Sequence, residues 1–197
     1  MAGTGKAQEG ASRDRVLSQD ELAKVLKTLA EDRFGDIVRL LILTAQRREE
    51  IGGLRWSEID FDRGFIVLPA ARTKNKRLHE LPLSRQARAI LERQQRRGDR
   101  DLVFGIGEGG FCGWSDCKAA LDERAKLKAG WRLHDLRRTA ATMMAELGVP
   151  PHIVEAILNH VSGHRAGVAG IYNRAKYEAE MRQALERWAE HVQTILG

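Results

Sequence analysis

Six side chains in this sequence are of kinds that could do chemistry if gathered around one phosphate: Arg47, Lys74, His134, Arg137, His160 and Tyr172. His134 and Arg137 stand three apart in RLHDLRR, so on a helix they share a face. A helical wheel sets them beside the apolar stripe of Leu136 and Met143, where they can border a cleft. His160 follows the expected end of the next helix, and Tyr172 comes a dozen residues later. Tyr172 lies between Gly170 and Asn173-Arg174, outside any strong apolar stripe, which favours an accessible hydroxyl. Arg47 sits at the end of a very apolar helix, with Glu50 three residues on and able to orient it by a charge-assisted hydrogen bond. Lys74 lies in the basic turn TKNKR between two strands, where a flexible stem can reach into a groove and deliver a proton.

Taken singly, each has an ordinary structural explanation. His134 and Arg137 could be a solvated face bridged through Asp135, and Arg47 with Glu50 only an intrahelical salt bridge. Lys74 could be merely exposed, His160 a capping imidazole and Tyr172 a core aromatic. Tyr177 is the competing tyrosine, and its place on the last helix stripe makes it a packing residue. Arg48 and Arg55 read as solvent or phosphate contacts.

The elements that must position these groups show in periodicity and capping. Ser18 with Glu21 forms a capping box, and Leu17 can staple onto Leu22. Residues 36–46 are apolar nearly all round, which predicts a central helix. Residues 58–61 and 65–68 read as strands around the turn Asp62-Arg63-Gly64, and 78–83 as a third strand. Ser84 caps a basic helix running to about residue 97, residues 102–104 could form a short strand, and a helix is expected over 114–128. The next helix starts near His134 and ends before Gly148, and Pro151 opens the one after it at its first position. The last helix, about 175–196, carries Tyr177, Met181, Leu185, Trp188, Val192 and Ile195 at helical spacing. Gly105-Ile-Gly-Glu-Gly-Gly110 fits G-x-G-x-x-G, but no βαβ unit surrounds it, so a flexible loop is expected. The fold class is α+β, mainly α, with a small three-stranded antiparallel sheet packed beside a helical core.

Bulk properties agree. A chain of 197 residues can bury its own core, and 43% apolar content is near the globular average. The net charge of +6 suits a polyanionic partner. Cys112 and Cys117 are too few for a disulfide scaffold, which fits a reducing cytosol, and their spacing does not suit zinc. No apolar run reaches the ~18 to 20 residues that span a bilayer, so no membrane association is expected.

In this order the six residues resemble the tyrosine recombinase (phage integrase) family, specifically its catalytic domain. The family's T-G-x-R-x-x-E run before L-x-W is matched by Thr44-Ala45-Gln46-Arg47-Arg48-Glu49-Glu50, then Leu54-Arg55-Trp56. The hairpin lysine is matched by Lys74, H-x-x-R by His134 to Arg137, L-G-H by Leu158-Asn159-His160, and the nucleophile box by Tyr172. Ala45 and Asn159 replace the usual glycines. The longer gap before Tyr172 resembles a subgroup of phage and genomic-island integrases.

The resemblance implies a mechanism. Tyr172 attacks a DNA phosphorus to give a 3′-phosphotyrosyl intermediate and a free 5′-hydroxyl. Arg47 and Arg137 clamp the non-bridging oxygens, where charge grows in the transition state. Lys74 protonates the leaving 5′-oxygen, His134 helps deprotonate the tyrosine, His160 hydrogen-bonds the phosphate, and Glu50 keeps the arginines in register. A phenol of pKa ~10 needs nearby cations to ionise at neutral pH. Transesterification needs no ATP, and no cofactor or metal is expected. Arg48, Arg55, Lys76, Arg77 and Arg138 are further DNA-contact candidates. The implied partners are double-stranded DNA attachment sites and, for the full-length protein, a tetramer on DNA, with this chain monomeric when free. Residues 1–16 are expected to be a flexible arm or linker and 17–197 the catalytic domain of a longer integrase, acting in the cytoplasm. Two other readings are a non-catalytic helix-turn-helix regulator, which would protect DNA without forming a covalent adduct, and a type IB topoisomerase-like activity, which would use the same chemistry to relax supercoils without a specific site.

Overall fold

Helix α2, Arg33–Thr44, is a central element of the core. Asp32 caps it by accepting from Gly35 N at 2.7 Å, and it ends where Ala45 turns left-handed at φ 54°. Its sequence, RFGDIVRLLILT, is apolar on nearly every side, so it can be buried on nearly every side. The computed structural model to which it belongs describes residues 14–160 and 177–197.

Four further helices build the core with it: α6 (Leu133–Glu146) and α8 (Glu178–Leu196) pack on α2, and α1 (Gln19–Lys27) and α7 (Pro151–Ile157) pack on α8. The Ser18–Glu21 capping box starts α1, and the Leu17 N–H donates to Thr139 Oγ1 of α6 at 2.9 Å. Helix α8 buries Met181, Leu185, Trp188 and Val192, and its Trp188 Nε1 donates to Ile42 O of α2 at 2.8 Å. The last helix therefore folds back on its own chain. Gly148, at φ 83°, closes the end of α6 where an L side chain would be strained.

The sheet is antiparallel in the order β1 (Ile59–Asp60), β2 (Phe65–Leu68), β3 (His79–Pro82). Ile59 pairs with Ile66 and Leu68 with His79, so β2 lies between its sequence neighbours. The remaining helices are α3 (Arg48–Gly52), α4 (Arg85–Glu92) and α5 (Trp114–Ala125). The expected α+β class with its three-stranded sheet is what the chain adopts.

Three local expectations change. The central helix stops at Thr44, so Arg47 does not end it but caps the start of α3. Helix α4 stops at Glu92 rather than near 97, because residues 92–101 offer no apolar side chain to bury; Gln94 Nε2 instead donates to Asp36 Oδ2 at 2.7 Å. Residues 102–104 form one bridge, Arg55 to Leu102, and no strand. The glycine stretch is a loop, as expected, and its end is held: Phe111 N donates to Gly52 O at 2.7 Å, and a Cβ on Gly110 would lie 2.6 Å from that oxygen. Tyr172 and most of the expected arm lie outside the described residues.

Candidate active site

The site begins where α2 ends. Ala45 turns the chain, and the buried Gln46 anchors it by donating through Nε2 to Thr44 O and Ile157 O, both at 2.8 Å. Arg47 then caps α3, with Glu50 one turn in. Glu50 Oε2 accepts from the Arg47 N–H and Oε1 from its guanidinium, each at 3.0 Å. At 2% exposure, Glu50 is a carboxylate that only such donors make tolerable in the interior. The pair holds the half-buried Arg47 side chain in one direction.

Arg137 lies beneath. It is 7% exposed, and its guanidinium donates to Ala45 O at 2.7 Å and to Leu158 O, tying the end of α2 to the end of α7. Burial pushes its pKa down to about 10; the like charge of Arg47 pushes the same way and Glu50 partly offsets them. It remains charged at neutral pH. The single-helix wheel, which set Arg137 beside the cleft with His134, is corrected: position 137 faces the seam between α2 and α7. Two guanidiniums held close enough to repel form a site that an anion relieves.

His134, in the first turn of α6, is on the open side. Partial burial lowers its pKa, the charges of Arg137 and Arg138 lower it further, and Asp135 opposes them. The neutral imidazole therefore dominates at pH 7, which is the form that can accept a proton.

Lys74 reaches the same cleft from the turn before β3. Thr73 Oγ1 closes that turn, donating to Arg77 O at 2.7 Å and accepting from Arg77 N at 3.1 Å. Lys76 has φ 53°, and Asn75 Nδ2 donates to both O and Oδ1 of Asn159 at 2.9 Å. His160 is exposed just beyond α7, its N–H donating to Glu155 O at 3.0 Å after the left-handed Asn159.

Arg47, Glu50, Lys74 and His134 thus line one cleft of about 890 Å³. Arg48 lines it too, paired with Glu49 and with its guanidinium 5.1 Å from the Trp114 ring. Lys76 and Arg77 are exposed on the lysine turn. Arg55 and Arg138 do not line the cleft: Arg55 lies 3.8 Å from Asp101, and Arg138 lies 3.5 Å from Asp135 and 3.9 Å from Asp14. Tyr177 precedes α8 and packs its ring edge-on to His152 at 5.2 Å. Among the described residues, no group of three His, Cys, Asp or Glu could hold a metal ion.

The model of the phage integrase family matches residues 15–179 of this chain. The chain belongs to that family. It is 34% identical to prophage integrase IntA of Escherichia coli K12 over 197 residues, covering 95% of this chain and 47% of that protein. Prophage integrase IntZ of the same organism is also 34% identical, over 88% of this chain and 43% of its own length. The chain spans about half the length of the curated relatives it matches. Among solved structures, an integrase from mycobacterium phage Brujita matches with a TM-score of 0.72 at 19% identity, over 98% of this chain and 67% of that one. That likeness is one of fold.

Several residues of this integrase-family site were not singled out from the sequence. Trp114, Lys118, Trp131 and Arg132 build the far wall of the cleft, with Lys118 Nζ 3.9 Å from the Trp131 ring. Arg72 crosses from the lysine turn to donate to Glu50 O at 3.1 Å and to Glu58 at 2.9 Å. The interleaving of tryptophans with basic residues over 114–132 was the available signal for the wall. The sequence carried no comparable signal for Arg72.

Proposed function

We propose that this chain is the catalytic part of a phage or genomic-island integrase, which cuts and rejoins DNA at specific sites through a covalent tyrosine intermediate. The observation that carries the proposal is the convergence of Arg47, Lys74 and His134 on one cleft, with Arg137 buried beneath and Glu50 fixing Arg47. That set supplies positive charge for the non-bridging oxygens, a proton donor and a neutral imidazole. In the reaction, the Tyr172 oxygen bonds to phosphorus as the bond to the 5′-oxygen breaks. His134 helps take the phenol proton, Lys74 gives one to the leaving 5′-oxygen, and His160 hydrogen-bonds the phosphate. A 5′-hydroxyl from a second strand then attacks the phosphotyrosine and releases the enzyme. Bond energy is conserved, so no nucleotide is consumed.

Double-stranded DNA attachment sites are the proposed substrate. A lambda integrase (residues 75–356) dimer bound to a core site has a related fold, with a TM-score of 0.62 at 17% identity over 80% of this chain. Arg48, Lys76 and Arg77 would contact the DNA backbone. We assign residues 17–197 to the catalytic domain and 1–16 to an arm or linker. The full-length protein would work as a tetramer on DNA in the cytoplasm, and the free chain would be monomeric.

The test is a nicked suicide duplex that traps the cleaved state, read by denaturing electrophoresis. The native chain and Tyr177→Phe should form a covalent protein–DNA adduct, and Tyr172→Phe should not. An adduct that survives Tyr172→Phe refutes the nucleophile, and no adduct from the native chain at any site tested refutes the activity.

A further inference from the structure

Asn159 stands where the family pattern has glycine, in left-handed backbone at φ 46°. Asparagine is one of the few residues that enter this region readily, so the backbone alone does not demand glycine here. What asparagine adds is a side chain, and that side chain is 7% exposed and committed. Asn75 Nδ2 donates to Asn159 O and Oδ1, each at 2.9 Å, and Asn159 Nδ2 donates to Asn75 Oδ1 at 3.2 Å. Two amides are thus paired across 84 residues of chain. A glycine at 159 could offer only the carbonyl.

Both ends of this pair lead to the site. Asn75 follows Lys74 in a turn already closed by the Thr73 hydroxyl, so fixing Asn75 fixes the origin of the lysine stem. Asn159 lies between Leu158, whose carbonyl receives Arg137, and His160. We propose that Asn159 is a positioning residue: through Asn75 it docks the lysine turn against the arginine–histidine side of the cleft before DNA arrives, so that Lys74 meets the leaving 5′-oxygen. The role rests on the reading of Lys74 as proton donor, and it makes Asn75 and Asn159 one unit.

The experiment measures single-turnover adduct formation by this chain on the nicked duplex, with oxygen or with sulfur at the 5′-bridging position. A thiolate leaves without needing a proton, so a lost or misplaced donor matters only for oxygen. Asn159→Gly, which takes φ 46° freely, and Asn75→Ala should each slow cleavage of the oxygen substrate on the order of tenfold to a hundredfold, a partial loss of the roughly 10²–10⁴-fold that a positioned acid supplies. Both should cleave the sulfur substrate at nearly the native rate, bind DNA as the native chain does by anisotropy, and keep its circular dichroism. The double variant should be no slower than the singles, because the two residues act as a unit.

Native speed of Asn159→Gly on oxygen, equal slowing on both substrates, or additive slowing in the double variant would each overturn the positioning role. Lys74→Ala separates the two claims. Rescue of Lys74→Ala by sulfur without rescue of Asn159→Gly removes only the positioning role. Failure of sulfur to rescue Lys74→Ala removes the proton-donor reading and the proposal with it.

Discussion

His79 offers the sharpest test of how the site is buried. It opens β3 at 5% exposure, and its Nε2 has no hydrogen-bond partner. Burial is the main force lowering its pKa to about 4; Glu50 and a hydrogen bond with the Ile157 backbone pull it up, while Arg137 and Arg47 push it down. The folded state thus binds fewer protons than the unfolded one between about pH 4 and 6.5. Stability from this group is fully present above 6.5 and is lost as pH falls through that window. The distance from 6.5 to about 4 is worth about 3 kcal/mol, of which about 2 kcal/mol should be lost between pH 7 and pH 5. His79→Gln removes the titration and keeps an amide donor for the Ile157 carbonyl. Urea unfolding of both proteins at pH 7 and pH 5 isolates the term, because the carboxylates contribute alike to each. The native chain should lose about 2 kcal/mol more than the variant on acidification. Equal losses would mean that His79 reaches water or a partner, and the buried neutral histidine would be wrong.

Three other outcomes are expected. Trp188→Ala should cost about 3 to 5 kcal/mol in chemical unfolding, since it empties a fully buried site and leaves Ile42 O without the indole donor; a cost below about 1 kcal/mol would unseat α8 from α2. Gly110→Ala should lower thermal stability by about 1 to 3 kcal/mol, because its Cβ would meet Gly52 O at 2.6 Å and Gly53 Cα at 2.7 Å; native stability would refute that close approach. The His134 imidazole should titrate by NMR below the ordinary histidine value and move upward in Arg138→Gln, which removes one of the charges lowering it; an unmoved midpoint would refute that coupling.

Local signals served the sequence reading well, and partners distant in the chain defeated it. The Ser18–Glu21 box, the Gly148 terminus, the hairpin at Asp62-Arg63-Gly64 and the Arg47–Glu50 pair each depend on residues a few positions apart. The fate of Arg137 depends on carbonyls 92 and 21 residues away, which no wheel drawn on α6 contains. Gln46 is similar, because Ile157 O lies 111 residues on. Arg55 lies 3.8 Å from Asp101, a neighbour in space that no local pattern around Arg55 announces. Helix α5 hid its part in the cleft for another reason: only Leu121 and Ala125 are buried, so its periodicity gave little sense of which face turns to the site.

The two glycines missing from the family pattern belong to one argument. Ala45 and Asn159 both have positive φ, 54° and 46°, and each stops a helix just before a site residue, Arg47 and His160. The pattern's glycines therefore mark a backbone requirement at these points. Meeting it with alanine costs on the order of 1 kcal/mol, which the full burial of Ala45 in the core can offset. The two helix ends leave the Ala45 and Leu158 carbonyls without helical donors, and one guanidinium, that of Arg137, serves both. Arg137 thus holds together the two segments that deliver Arg47 and His160, besides any part it takes with phosphate. Its planar fork can reach two carbonyls in different directions, which a lysine ammonium on a single stem does less well. Arg137→Lys, although it keeps the charge, should therefore loosen both helix ends and lower thermal stability as well as cleavage. A lysine variant that unfolds like the native chain and loses only cleavage would confine Arg137 to the phosphate.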